Sequence, residues 1–236
     1  MIRKFNYISG LVLSLTLASC AYDNYDPPKS SLKGRIVYNG EAINVASGDV
    51  VIRLVEPGYA RVNPIDVAVA QDGSYSALLF DAPYKLYIPN GIGPYRPILN
   101  AESGSDTIPV TVQGSKVLDI EVMPYYMVRN AAFTATGRKI TASCKVEKII
   151  TDANARDIVK VTLFISKSLF ADTKTNFATQ ATNGGDIVDM NNVSLSVEVP
   201  PVPLNQSQNY VFARIGVQID GVGALLYSPV QKVQFQ

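Results

Sequence analysis

The sequence predicts an all-β protein made of two tandem β-sandwich domains. Three observations support this prediction. Apolar residues recur at every second position, turn residues interrupt the chain at short intervals, and no stretch after residue 20 keeps an amphipathic helical pattern over three turns. A period of two places successive side chains on opposite faces of a strand, and short strands separated by turns are typical of sandwiches.

The first sandwich is predicted over residues 32–126. The Asn39-Gly40 turn ends its first strand, and Gln71-Asp72-Gly73-Ser74 is a hairpin turn between two later strands. The predicted strands of this domain are LKGRIVY, the segment Val50 to Leu54, the segment Ile65 to Val69, SYSALLF, YKLYI, TIPVTV and VLDIEV.

The second sandwich is predicted over residues 127–236, with the general form of an immunoglobulin or fibronectin type III domain. The segment MPYYMVRN is predicted to join the two domains. The predicted strands of the second sandwich are KITASCKV, IVKVTLFIS, VSLSVEV, YVFARIGVQI and VQKVQF. The clearest series of inward-facing residues is Val159, Val161, Leu163 and Ile165. Residues 168–192 fit no strand of this set; they are interpreted as a hidden strand pair or helical turn, or alternatively as a binding loop.

The first nineteen residues have the parts of a secretory signal: basic residues near the start, an apolar stretch and small residues before a cleavage point. Leu17-Ala18-Ser19-Cys20 resembles the lipobox of bacterial lipoproteins, in which the thiol is diacylated before cleavage and the new amino terminus is then acylated. We therefore expect Cys20 to carry an N-acyl diacylglyceryl anchor. Two or more acyl chains hold a protein stably on a membrane.

The polar residues 20–31 are predicted to form a tether, which Pro27 and Pro28 stiffen. Loss of the signal removes Arg3 and Lys4 and leaves 19 basic against 20 acidic residues, a net charge near −1. This balance gives no reason to expect a nucleic-acid partner.

The absence of histidine restricts the chemistry that the chain can perform. It excludes Ser-His-Asp and Cys-His catalysis and imidazole zinc sites. Once Cys20 is lipidated, Cys144 has no disulfide partner, and its alternating position in KITASCKV predicts a core residue. Asp119 and Glu121 fall on the solvated face of a predicted strand, so we expect neither a catalytic carboxylate pair nor a metal site, and no enzyme.

The chain has thirteen tyrosines and eight phenylalanines but no tryptophan. Aromatic faces in loops can stack on sugars while neighbouring amides and charged groups take the hydroxyls. The candidate ligand-binding residues are the loop residues Tyr59, Asn90, Tyr95 and Arg96, with Tyr59 and Tyr95 expected to be the least core-like tyrosines, and Phe170 and Phe177 of the unassigned segment. The alternative is that these aromatic residues cover loop bases or pack between the domains.

At DNYDPP, QDGSYSALLFDAPYKL and NGIGPY the chain resembles a family of uncharacterised lipoproteins from Bacteroidetes-type bacteria, the family of the domain of unknown function 3823. The resemblance implies a prealbumin-like or carboxypeptidase-regulatory-like sandwich followed by an immunoglobulin-like one. Genes of this family often lie beside those of SusC-like and SusD-like glycan importers, which implies such proteins as partners. Acidic residues after the lipidated cysteine resemble a surface-export signal in these bacteria, and Asp23 and Asp26 fit it.

We therefore predict a non-enzymatic lipoprotein on the outer surface of the outer membrane, without a cofactor beyond its lipid. It is expected to serve a SusC/SusD-type polysaccharide uptake system, either as an accessory or as a glycan-binding component. The alternative is a fimbrillin-like structural or adhesive protein that polymerises by strand exchange. Such a protein needs a first strand that is cleaved off, usually after an arginine, so that its removal opens a groove, whereas Arg35 lies inside the predicted first strand.

Overall fold

The computed structural model describes residues 26–58, 63–201 and 208–235, and strands make up most of this part of the chain. The predicted all-β class and the two domains are confirmed. The strands of the described residues form four sheets, two in each domain. None of the helical segments in these ranges is long and apolar enough to cross a membrane.

The amino-terminal domain combines a six-stranded and a four-stranded sheet around a shared apolar core. Its strands are β1 (Ser30–Tyr38), β2 (Glu41–Ala42), β3 (Val51–Val55), β4 (Ile65–Ala68), β5 (Ser74–Leu79), β6 (Ala82–Tyr87), β7 (Tyr95–Pro97), β8 (Ile108–Val112), β9 (Ser115–Val117) and β10 (Ile120–Pro124). The smaller sheet has the order β4-β3-β6-β8. In the larger sheet β1 pairs first with β5 and β9 and then with β2 and β10, and β7 pairs with β10.

Strand β1 changes partners near Gly34, and this change divides the predicted strand VLDIEV into β9 and β10. The carbonyl oxygen of Leu118 lies so close that a Cβ on Gly34 would be 1.8 Å from it. Only glycine fits this position without moving the backbone. Asp119 Oδ1 accepts a hydrogen bond from the Arg35 N–H at 2.8 Å, and Glu121 accepts one from the Asn39 N–H. Both carboxylates therefore stabilise the backbone where β1 and β10 meet.

The carboxy-terminal domain combines a three-stranded and a five-stranded sheet. Its strands are β11 (Tyr126–Thr136), β12 (Lys139–Lys148), β13 (Ile158–Ser166), β14 (Ala178–Asn183), β15 (Val193–Glu198), β16 (Tyr210–Ile219), β17 (Leu226–Tyr227) and β18 (Gln231–Gln234). The smaller sheet has the order β11-β12-β15. In the larger one β13 lies between β14 and β16, and both β17 and β18 pair with β16.

Two segments that lie outside the predicted strands contain strands in the structure. MPYYMVRN is almost entirely strand, because Pro124 ends β10 and Tyr126 begins β11, which leaves Tyr125 alone between them. The unassigned residues 168–192 contain β14, which pairs with β13, and a single 3-10 turn at Gly184–Asp186. The interpretation that this segment hides regular structure is confirmed.

The inward series predicted in β13 is right for Val161, Leu163 and Ile165, which are fully buried. It is wrong for Val159, which is 41% exposed. The register between β13 and β16 shifts between residues 158 and 160, so a β-bulge turns the Val159 side chain outward. Cys144 is buried in the core as predicted, and this burial raises the pKa of its thiol to about 11.

The two domains are joined by a buried contact centred on Arg214 of β16, here called the sealed contact. The guanidinium is 0% exposed, and its Nη2 donates to the carbonyl oxygens of Val45 at 3.2 Å and Gln71 at 3.0 Å in the other domain. Its Nε donates to the Ser228 carbonyl at 3.0 Å, and its Cζ lies 4.4 Å from the centre of the Tyr227 ring. Burial lowers the pKa of Arg214 to about 10, so the side chain stays charged at neutral pH.

Residues 167–177 complete the sealed contact instead of forming a free loop. Ala171 packs with Ala46 of the first domain, and Lys174 forms an ion pair with Asp49. The buried Asp172 carboxylate accepts the backbone N–H groups of residues 174 and 175 and so holds the loop in shape. The two domains are therefore held in one relative position, and this position shapes the remaining part of their junction.

Candidate functional site

An open part of the domain junction forms a cleft with a volume of about 350 Å³, here called the junction cleft. Both domains contribute to its walls. The walls include Asn90, Tyr95 and Arg96 from the first domain and Tyr125, Arg156 and Val222 from the second.

A second depression of about 400 Å³, the Asp152 cleft, shares Arg96 and Pro97 with the junction cleft. Its other described lining residues include Met123 and Asp152. Strand β7 therefore separates two adjoining depressions, and the Arg96 side chain faces both.

The loop PNGIGPY between β6 and β7 positions the first wall of the junction cleft. Gly91 has a φ of +78°, which glycine adopts without steric cost. Gly93 is required for a different reason, because a Cβ there would lie 2.2 Å from Cζ of Tyr95. The two glycines thus allow the loop to turn tightly and the Tyr95 ring to fold back against it.

Tyr95 lies beneath the cleft wall and is only 6% exposed. The expectation that it is among the least core-like tyrosines is wrong, because its ring belongs to the main apolar core. Tyr95 is the first residue of β7, and its pairing with Pro124 joins β7 to β10. Its hydroxyl oxygen is buried without a hydrogen-bond partner among the described residues, and burial raises the pKa of this hydroxyl above its ordinary value.

Tyr125 and Arg156 form the opposite wall. The Tyr125 N–H donates to the Pro94 carbonyl at 3.2 Å, which attaches the domain connection to the loop. The Arg156 guanidinium lies over the Tyr125 ring, with Cζ 5.4 Å from its centre, and Nη1 donates to the Asp220 carbonyl at 2.9 Å. These two contacts hold the guanidinium at the rim of the cleft.

The structure brings three of the predicted binding residues together at the junction cleft, and Phe170 and Phe177 are not among its described lining residues. Asn90 and Arg96 are exposed in the junction cleft, and Tyr95 lies beneath them. Phe170 is 45% exposed, and Phe177 is partly buried with the Lys167 Nζ 4.5 Å from its ring centre. Within the described lining of the two clefts, neither phenylalanine is present.

The remaining predicted positions lie mostly outside the described residues. Tyr59, Cys20 and Asp23 belong to this group. Asp26 is described and exposed, and its carboxylate accepts a hydrogen bond from the Lys29 Nζ at 3.1 Å.

The described lining of the two clefts contains one acidic side chain, Asp152. Its carboxylate accepts hydrogen bonds from the Asn154 backbone N–H at 2.8 Å and the Asn154 side-chain amide at 3.1 Å. Across the described part of the chain, no three His, Cys, Asp or Glu side chains come together as a metal-ligand group. The site therefore offers cationic, amide and aromatic groups for binding.

Sequence reasoning missed Tyr125, Arg156 and Val222, which complete the cleft. Tyr125 had a usable signal, because an aromatic residue at a predicted domain connection is well placed to line a junction. Arg156 and Val222 lie in turns that have no motif, and only the packing of the two domains brings them to the loop.

Comparisons with known proteins agree with this fold. A family model described as "Protein of unknown function (DUF3823) N-terminal domain" matches residues 30–123, and one described as "Domain of unknown function (DUF3823_C)" matches residues 126–232. No curated protein matches the chain.

Three crystal structures are similar over the whole of their own chains. A DUF3823 family protein from Parabacteroides merdae is 34% identical over 89% of this chain and 100% of its own, with a TM-score of 0.75. One from Bacteroides ovatus is 33% identical over 88% of this chain and 100% of its own, with a TM-score of 0.76. A candidate carbohydrate-binding protein from Bacteroides uniformis is 20% identical over 88% of this chain and 100% of its own, with a TM-score of 0.69, and shares the fold.

Proposed function

The chain belongs to the DUF3823 family, and on that premise we propose that it is a non-enzymatic, lipid-anchored protein that binds glycans in the junction cleft. In this role it serves a SusC/SusD-type polysaccharide uptake system at the outer surface of the outer membrane. The junction cleft is the observation that carries the proposal. Ligand sites occur preferentially where domains meet.

The groups around the cleft suit a polyhydroxylated ligand. Asn90 supplies an amide, and Arg96 and Arg156 supply guanidinium donors at opposite walls. The sealed contact holds the two domains together, so the cleft exists before a ligand arrives and little ordering accompanies binding. The similar Bacteroides uniformis structure, described as a candidate carbohydrate-binding protein, supports the same ligand class.

Binding without catalysis is proposed because the clefts lack a second carboxylate in their described lining. Hydrolysis of a glycosidic bond ordinarily uses two carboxyl groups on either side of that bond. Asp152 is alone, and Asp119 and Glu121 are occupied by backbone N–H groups of β1 and the turn after it.

The location rests on the lipobox ending at Cys20, on Asp23 and Asp26 as an export signal, and on the gene neighbourhood that the family resemblance implies. Strand β1 begins at Ser30, ten residues after Cys20. A tether of that length reaches about 33 Å when fully extended. The cleft would thus work close to the membrane and to an importer embedded in it.

Binding is tested by retention of the purified chain on affinity gels that contain a broad panel of dietary and host polysaccharides. Val222→Trp places a bulky ring in the cleft and is expected to abolish retention. Val188→Trp is the matched control, because Val188 is fully exposed and is not among the described lining residues. Failure of every polysaccharide to bind, or equal retention of both variants, would remove the proposal.

The anchor and the partners need separate experiments. Cells fed a labelled fatty acid should label the wild-type chain and leave Cys20→Ala unlabelled. The location is tested separately: protease added to intact cells should cleave a chain that lies on the outer surface. Purification of the lipidated protein should also recover a SusC/SusD-type pair. Labelling of Cys20→Ala at the wild-type level would contradict the anchor.

The fimbrillin-like alternative is not proposed. Arg35 lies inside β1, where it pairs with Ser74 of β5. Its backbone N–H donates a hydrogen bond to the Asp119 carboxylate. Cleavage after Arg35 would first require β1 to leave the centre of its sheet.

A further inference from the structure

Two arginines from different domains face the junction cleft without a carboxylate partner. Arg96 belongs to β7 in the first domain, and Arg156 precedes β13 in the second. Among the described residues neither forms an ion pair, whereas Arg53 pairs with Asp66, and Arg129 with Glu41 and Glu147. The junction cleft therefore carries two positive charges and no carboxylate in its described lining. Asp152 attracts Arg96 from the adjoining cleft without forming an ion pair, and this attraction is one of the smaller causes that lower the pKa of Asp152.

The donors of Arg156 are only partly used. A guanidinium has five N–H donors, and the bond to the Asp220 carbonyl uses Nη1. Its Nε and Nη2 have no partner among the described residues. The Tyr125 ring and the Asp220 carbonyl hold the group in position, so its free edge is presented with little loss of side-chain entropy on binding.

Tyr95 adds an unpaired polar group to the same site. Its hydroxyl is buried beside Gly93, which also lines the cleft, and no described residue bonds to it. A buried hydroxyl without a partner is unusual in native proteins, and a ligand or a bound water is a common explanation.

Asp152 is the acidic group nearest to this arrangement in the described lining, and it lies on the other side of Arg96. It lines the Asp152 cleft and not the junction cleft, and Asn154 occupies its carboxylate. The junction cleft itself thus has no acidic side chain in its described lining. Since the chain without its signal has a net charge near −1, this positive site is local and does not reflect a generally basic protein.

We propose that the junction cleft is selective for acidic glycans, with the guanidinium groups of Arg96 and Arg156 binding carboxylate or sulfate groups of the saccharide. The planar fork of a guanidinium matches either oxyanion in a bidentate geometry. This inference rests on the proposed glycan-binding function and adds the chemical class of the ligand.

The test uses the full chain, purified in mild detergent, and two matched pairs of polymers. Polygalacturonate is compared with its methyl ester, and dextran sulfate with dextran, so each pair differs in charge but not in its sugar backbone. We expect at least one charged polymer to bind about tenfold more tightly than its neutral counterpart, with affinity falling as salt is added. Preference for polygalacturonate assigns carboxylate as the recognised group, and preference for dextran sulfate assigns sulfate.

Single arginine substitutions test whether the preference for a charged polymer arises in the junction cleft. Arg96→Gln and Arg156→Gln should each weaken binding of the preferred polymer by about tenfold or more. Arg53→Gln removes the same charge from a partly exposed position on β3 that lines neither cleft and should change affinity by less than about twofold. Thermal unfolding of each variant checks that the fold is intact.

Three results would overturn the inference. Equal affinity for a charged polymer and its neutral counterpart, with binding still blocked by Val222→Trp, rejects acidic selectivity while the proposed glycan function stands. Equal losses from Arg53→Gln and the two cleft variants show attraction to overall charge and not to the cleft. Failure of the wild-type chain to bind any polymer in either pair or in the broader panel rejects both proposals.

Discussion

The domain junction contains two arginine-tyrosine pairs in contrasting surroundings. In the sealed contact, Arg214 lies 4.4 Å above the Tyr227 ring and is fully buried. In the junction cleft, Arg156 lies 5.4 Å above the Tyr125 ring and is exposed. Arg214 donates to three backbone carbonyls, two of them in the other domain, whereas Arg156 donates to the Asp220 carbonyl alone.

The difference shows that burial decides what the same pair of residue types does. A buried guanidinium is costly to desolvate, so bonds within the protein must offset that cost. Nε and Nη2 of Arg214 make such bonds and hold the domains together, while its buried Nη1 has no partner among the described residues. An exposed guanidinium loses little hydration, so it can leave donors free for a ligand. One pair therefore fixes the geometry of the junction, and the other is available at its surface.

The largest expected effect comes from Arg214→Ala. It leaves the carbonyls of Val45, Gln71 and Ser228 buried without their donor and opens a cavity beside Tyr227. We expect the free energy of unfolding to fall by about 3 kcal/mol or more, measured by urea unfolding.

Arg156→Ala is the matched comparison, because it removes the same side chain from the open pair. It loses a single exposed hydrogen bond and a cation-π contact, so we expect a decrease of less than about 1 kcal/mol. Similar losses from both substitutions would show that the two pairs do not differ as described.

An intermediate effect is expected from Gly93→Ala, which acts on the cleft wall. The new Cβ would lie 2.2 Å from the buried Tyr95 ring, so either the ring or the loop backbone must shift. We expect a loss of about 1–3 kcal/mol in thermal or urea unfolding.

Gly223→Ala is the control for that substitution, since its Cβ would meet nothing closer than the Gly91 carbonyl oxygen at 3.8 Å. It should leave stability unchanged or raise it slightly by reducing the freedom of the unfolded chain. A tolerated Gly93→Ala would mean that the Tyr95 ring is not held against the loop.

The smallest effect is expected from Glu41→Gln, which removes an ion pair between β2 of the first domain and Arg129 of the second. The Glu41 side chain is 50% exposed, and Arg129 keeps its pair with Glu147. Unfolding by urea should show a loss of about 0.5 kcal/mol or less, because exposed ion pairs contribute little. A loss comparable with that of Arg214→Ala would place the main interdomain stabilisation at the surface.

Most strands could be predicted because each carries its own alternation of apolar residues, as in KITASCKV, where Cys144 proved to be in the core. The errors occur where a distant part of the chain controls the backbone. Val159 points outward because of a bulge against β16, and VLDIEV is divided where Leu118 meets Gly34. Neither contact has a local sequence signal.

The candidate site was predictable only on one wall. The expectation that loop residues with aromatic, amide or charged groups bind a ligand led to Asn90, Tyr95 and Arg96, of which Tyr95 lies buried beneath the wall. The opposite wall comes from Arg156 and Val222, which lie 60 and 126 residues further along the chain than Arg96. The unassigned segment with Phe170 was open to interpretation as a binding loop, yet its neighbour Ala171 packs into the sealed contact.

By itself the sequence determined the all-β class, the two domains, the core position of Cys144 and the turn chemistry of the loops, because each depends on residues close together in the chain. The tertiary structure alone decided that Arg214 is a buried connection and that Arg156 is an exposed group beside Arg96. The physical reason is that burial and charge pairing are properties of the packed surroundings. Two residues of the same type can therefore take opposite roles once the domains meet.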